Sequence, residues 1–132
     1  MDLFALDRKQ IGALGERLAA HYLHKHGFVI LDRNVVRKMG EVDLIARKDR
    51  TMHFVEVKTM TCDELPPYDA EWTDAYDPSV NLHETKIRKV ARMGEWYMAE
   101  HELDDEWQVD GVLVWLRRHD GKAYVRYLPQ LV

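Results

Sequence analysis

Residues 40–59 read GEVDLIARKDRTMHFVEVKT. Two apolar runs, EVDLIARK and TMHFVEVKT, flank a short polar turn around Asp49, which is the pattern of an antiparallel hairpin. In extended backbone, successive side chains point to opposite faces. The first run therefore puts Glu41, Asp43 and Ile45 on one face and Val42, Leu44 and Ala46 on the other. The second puts Met52, Phe54, Glu56 and Lys58 together, with Val55 and Val57 opposed. Pairing the runs brings Asp43 and Glu56 close on adjacent strands, with Lys58 just beyond. Charges in so apolar a strand are costly to bury unless they are paired or bind a metal. Two carboxylates there suit a hard divalent cation, Mg²⁺ or Mn²⁺, with the Val57 carbonyl a candidate third ligand. Mg²⁺ takes one or two carboxylates and keeps positions for water and phosphate. A lysine beside it can orient the attacking water and counter charge developing on a phosphate.

Working outward, residues 8–26 have Ile11, Leu14, Leu18 and Tyr22 at helical spacing, and Gly27 follows as a stop. Gly12, Gly15 and Ala19 flank that stripe and would let the helix lie close to a sheet. FVILDRNVV (28–36) reads as a strand. Residues 60–82 hold three of the four prolines and no sustained period, so they read as a long loop. A second helix is expected from near Asn81, with Glu84 completing a capping box. Its inner stripe is Ile87, Val90, Ala91, Gly94, Tyr97 and Met98, and its basic outer side is Lys86, Arg88, Lys89 and Arg92. QVDGVLVWLRR and KAYVRYL are two more strands joined at Asp120-Gly121. The order α-β-β-β-α-β-β predicts one α/β domain with a mixed sheet of five strands flanked by helices.

The chain's 132 residues suffice for one domain with a real core. No apolar run approaches the roughly 18 residues that cross a bilayer, and MDLFALDRKQIG lacks the pattern of a signal peptide. With a single cysteine, Cys62, no internal disulfide can form, and a cytoplasmic location is expected. Net charge is −4, but residues 59–82 carry no Lys or Arg and six acids, Asp63, Glu64, Asp69, Glu71, Asp74 and Asp77. The acidity belongs to that one segment, so net charge does not exclude a phosphate-bearing ligand. The basic side of the second helix is either a solvated face or a phosphate-contacting one. His21, His24 and His26 have no cysteine beside them and only two share a helix face, which argues against zinc.

Asp, a spacer, then Glu-X-Lys at a strand end is the signature of the PD-(D/E)XK nuclease superfamily, here Asp43 and Glu56-Val57-Lys58. GALGERLAAHYL (12–23), ILDRN (30–34), GEVDLIA (40–46) and FVEVKT (54–59) together resemble the YraN-like family of small bacterial proteins. That family is similar in fold to archaeal Holliday junction resolvases. The resemblance resumes at residues 86–97 and 108–114 and covers most of the chain. It implies a restriction-endonuclease-like fold in which Asp43 and Glu56 hold the metal and Lys58 assists. It also implies a helix glutamate near the metal, matched by Glu16, and a DNA substrate that includes branched or junction forms. Residues Lys86, Arg88, Lys89 and Arg92 are then the expected nucleic-acid face, and a homodimer the expected assembly. On a helical wheel Glu16 lies about 140° from Ile11, at the edge of the apolar stripe, which is compatible with that role. Met60 departs from the family pattern, in which a basic residue follows Glu-X-Lys-Thr. Two other readings fit the same residues: a catalytically inactive nucleic-acid-binding module, and a protein that binds a partner through its acidic segment.

Overall fold

The computed structural model describes residues 2–66 and 82–132. Helix α1 (Arg8–Lys25) leads into strands β1 (Val29–Arg37), β2 (Gly40–Lys48) and β3 (Thr51–Cys62). Helix α2 (Glu84–Glu100), β4 (Glu106–Arg117) and β5 (Ala123–Leu128) follow. The sheet order is β1-β2-β3-β4-β5, antiparallel throughout except that β3 and β4 run parallel. A parallel pair needs a crossover, and α2 supplies it. This is the mixed five-stranded α/β architecture expected from the sequence. The tight β2–β3 turn needs positive φ at both central residues, and Asp49 (φ 49°) and Arg50 (φ 64°) adopt it.

Each helix covers one face of the sheet. Leu44, Ala46 and Val55 join Val112, Val114 and Leu116 under Ala19, Ala20 and Leu23 of α1. Ile45, Met52, Phe54 and Val109 pack against Ile87, Val90, Met93 and Tyr97 of α2. Reciprocal bonds between Asp7 and Gln10 start α1, with Gln10 N–H donating to Asp7 Oδ1 at 2.8 Å and Asp7 N–H to Gln10 Oε1 at 2.9 Å. Its most buried ridge is Gly15, Ala19 and Leu23, while Ile11, Leu14, Leu18 and Tyr22 flank it half-buried. Small residues thus face the strands, and the aliphatic stripe read from periodicity sits at the edge of the contact.

Three expectations change. The segment read as a loop over 60–82 begins as strand, because Met60, Thr61 and Cys62 continue β3 and pair with Trp115, Leu116 and Arg117. Helix α2 starts at Glu84 with His83 as its cap residue and no side-chain capping bond. The expected box on Asn81 falls on a residue outside the described ones. The third change is in β2. Val42 packs with Val35 and Ile45 on the α2 side, whereas Leu44 and Ala46 lie on the α1 side, so strict alternation fails at Asp43. Opposite Asp43, between the pairs Arg33–Leu44 and Val35–Val42, Asn34 has φ 50°. β2 pairs with β3 only from Leu44 to the turn.

Gly15 sets how closely α1 approaches β3. A Cβ at residue 15 would lie 1.8 Å from Thr59 Oγ1. Alanine gains about 1 kcal/mol in helix propensity, but overpacking of this kind costs ~1–3 kcal/mol plus whatever shift relieves it. Gly15→Ala should therefore be destabilising by about 1–2 kcal/mol in urea unfolding. Thr59→Ala should cost less in that background than alone. Strict additivity would mean that the helix does not rest on Thr59.

Candidate metal centre and its surroundings

Where β2 peels away from β3, the ladder loses a backbone acceptor and Asp43 replaces it. Its Oδ2 accepts the Val57 N–H at 2.8 Å. The divergence opens a cavity of about 760 Å³, with Glu16, Glu41, Asp43, Val57, Thr59 and Lys86 on its walls. Glu16 arrives from α1 because Gly15 lets that helix lie against Thr59. Glu56 sits behind the cavity wall at 1% exposure, on the α2 side of β3. Lys86, from the first turn of α2, places its Nζ 2.5 Å from Glu56 Oε1. The other oxygen, Oε2, is buried without a hydrogen-bond partner among the described residues.

The electrostatics follow from this crowding. Burial, then the charge of Asp43, pushes the Glu56 carboxyl up to about 7, against the opposing pull of Lys86. Burial also raises Asp43, although the Val57 N–H and Lys86 counteract it. Glu16 is raised by burial and then by Asp43, while a bond with Asn34 acts the other way. The bond to Glu56 holds Lys86 above its ordinary value. Carboxylates from α1, β2 and β3 thus resist being charged together, and one buried oxygen has nothing to bind.

That donor set fits a hard divalent ion. It is all oxygen, it carries excess negative charge, and an unsatisfied buried acceptor is a group a cation would satisfy. Among the described residues no three Asp, Glu, His or Cys side chains are grouped to hold an ion on their own. An ion here would be held by two carboxylates and completed by backbone, water or substrate, the manner usual for Mg²⁺.

The expected site residues are thus distributed as follows. Asp43 and Glu56 come together, and Glu16 reaches Asp43. Glu41 is exposed on the cavity wall. Lys58 is half-buried on β3 two residues beyond Glu56, opposite Leu113 of β4, and is not among the cavity's lining residues. Lys86, Arg88, Lys89 and Arg92 are all on the exposed side of α2. Two are engaged within the chain, Lys86 by Glu56 and Arg88 by Glu84. The acidic residues 69–77 and the aromatic residues 68, 72 and 76 lie outside the described residues.

Sequence reasoning missed the partnership of Glu56 with Lys86 and the role of Asn34. It also missed a second polar centre. Asp110, fully buried on β4, accepts from His53 Nδ1 (2.6 Å), Gln108 Nε2 (2.7 Å), Tyr127 OH (2.7 Å) and the Gln130 N–H (2.8 Å). Burial alone would raise its carboxyl, yet these bonds, that from His53 first, hold it below the usual range. Burial and the bond to Asp110 push the Tyr127 phenol up. The one available signal was an Asp inside an otherwise apolar strand, VDGVLVWL.

No helix among the described residues is long and apolar enough to cross a membrane. A sequence profile of the Uncharacterised protein family UPF0102 matches residues 15–114. The chain is 35% identical to a UPF0102 protein of Sulfurovum sp. (strain NBC37-1) over 107 residues, 80% of this chain and 84% of that one. It is 35% identical over 122 residues to a UPF0102 protein of Syntrophotalea carbinolica, covering 92% and 90% of the two chains. A UPF0102 protein of Campylobacter fetus is 35% identical over 103 residues, 78% of this chain and 81% of its own. The chain belongs to the UPF0102, or YraN, family, a PD-(D/E)XK nuclease-like family.

Proposed function

We propose that the protein is a Mg²⁺- or Mn²⁺-dependent endonuclease that hydrolyses phosphodiester bonds in DNA, branched and junction DNA among its substrates. One observation carries the reading: Glu16 and Asp43 line one cavity, and Glu56, buried behind its wall and interacting with Asp43, keeps a carboxylate oxygen without a hydrogen-bond partner among the described residues. Asp43 and Glu56 would hold the ion, with the Val57 carbonyl as a third protein ligand and Glu16 nearby. The Val57 N–H fixes the Asp43 carboxylate. A bound ion of this kind lowers the pKa of water and neutralises charge on the phosphate. Lys58 orients the attacking water and offsets the charge that grows on the phosphoryl oxygens. Lys89 and Arg92 on α2 add phosphate affinity.

The test is cleavage of linear, single-stranded, flapped and four-way-junction DNA with Mg²⁺ or Mn²⁺, alongside Mn²⁺ titration. Asp43→Asn and Glu56→Gln should each lose both metal binding and cleavage. Glu56→Gln should also leave the metal-free protein at least as stable, because a neutral amide replaces a desolvated charge whose Oε2 is unsatisfied. Wild type that neither binds Mn²⁺ nor cleaves any substrate would sink the proposal. A second reading, a DNA-binding module without chemistry, is favoured by Lys86, whose ammonium already partners Glu56. It predicts DNA binding with no cleavage anywhere in the panel.

A further inference from the structure

A second groove, of about 670 Å³, runs between α1 and β1. Arg17, His21 and His24 line it from the helix, and Phe28, Ile30 and Arg33 from the start of the sheet; among the described residues no Asp or Glu lines it. The helix residues recur at i, i+4 and i+7, so they form one ridge about 10 Å long. Arg17, His21, His24 and Arg33 are all exposed. Arg47, Arg88, Arg117 and Arg118 are matched with acids. Among the described residues neither Arg17 nor Arg33 makes an ion pair.

The groove's position gives those two charges a use. Glu16 on α1 lines the carboxylate cavity, and Asn34 on β1 stands opposite Asp43, between the pairs Arg33–Leu44 and Val35–Val42. Arg17 and Arg33 are the chain neighbours of Glu16 and Asn34 and line the α1–β1 groove, so the groove lies alongside the carboxylate cavity. From these observations we infer that the α1–β1 groove is the track for the DNA backbone leaving the carboxylate site, with Arg17 and Arg33 each on a phosphate. The inference rests on the nuclease-fold reading of the site but not on its chemistry. The apolar floor of Phe28 and Ile30 suits sugar and base faces, which a small inorganic anion would not cover. Arginine's planar fork matches phosphate oxygens, so both orientation and charge favour this occupant.

The experiment is equilibrium binding of labelled duplex and single-stranded DNA in EDTA over a salt series, for wild type, Arg17→Ala/Arg33→Ala and Arg17→Lys/Arg33→Lys. The alanine pair should weaken binding of all sequences alike and shrink the log–log salt slope by ~1.8 on duplex and ~1.4 on single strands, about 0.9 or 0.7 per contact. The lysine pair should keep most of the slope. Both side chains are exposed, so thermal unfolding of the variants should match wild type. Unchanged slope and affinity in the alanine pair would overturn the inference, and so would wild type that binds neither DNA form. Because no divalent ion is present, absence of cleavage cannot mimic either outcome. A protein that binds through these arginines but never cleaves would sink the nuclease proposal and leave the groove standing.

Discussion

Asp110→Ala should cost roughly 3–5 kcal/mol, a large part of the ~5–15 kcal/mol that holds a domain of this size together. The carboxylate is fully buried and takes hydrogen bonds from four donors on β3, β4, β5 and the residues after β5. Removing it leaves those donors facing one another in a dry site, where each unmet group costs ~1–3 kcal/mol. Partial access of water through the adjacent cavity beside His53, Gln108 and Tyr127 keeps the total below the full sum. The same bonds set a pH dependence. The folded carboxyl lies below its ordinary value of 3.8, so the stability it contributes is present above that value and lost as pH falls through the lower folded one. Urea unfolding at pH 7 and pH 3 checks both statements: the alanine variant should be much weaker at pH 7 and lose less between the two. A loss below about 1 kcal/mol at pH 7 would mean that the four bonds are not a unit.

Lys58→Met should reduce cleavage by ~10² or more while Mn²⁺ and DNA binding stay near wild type, as expected when a stabiliser of the transition state is lost. The two lysines of the site differ in what they do. Lys86 is the ion-pair partner of Glu56, so on the proposed reading Lys86→Met removes a competing cation and should tighten Mn²⁺ binding. If, as proposed, Lys58 assists the chemical step, its loss should appear in single-turnover rates and nowhere else. If Lys58→Met cleaved as fast as wild type while Lys86→Met did not, the assisting ammonium would be the one on α2 and the assignment would move there.

Much of this was written locally. Glu56 and Lys58 share a face because a strand has period two, and Ile87, Val90, Tyr97 and Met98 are buried because α2 is long and amphipathic. The turn residues Asp49 and Gly121 did what their chemistry suggests. What escaped was either non-local or aperiodic. The Glu56–Lys86 pair and the His53–Asp110 pair join residues far apart in the chain, and no spacing rule connects them. The break in alternation at Asp43, opposite the positive-φ Asn34, puts Val42 on the other face, and a pattern that assumes regular pleating cannot register it. In α1 the leucines advertised a buried stripe, but contact with β3 selected the glycine and alanine ridge, since only small side chains allow that approach.

The parallel pairing of β3 with β4 also has a bearing on when the protein becomes competent. Thr51 meets Glu106 and Glu56 meets Gly111, so the central strand finds its second neighbour only after α2 has been made. The β1–β3 meander is local and can form first, whereas non-local parallel pairing is slow. A chain caught between those stages has both carboxylates but neither the strand that buries Glu56 nor the helix that carries Lys86. During synthesis, then, the two acids emerge solvated and far from α2. The burial that raises their proton affinity and strands the Glu56 oxygen is complete only when the last strands dock.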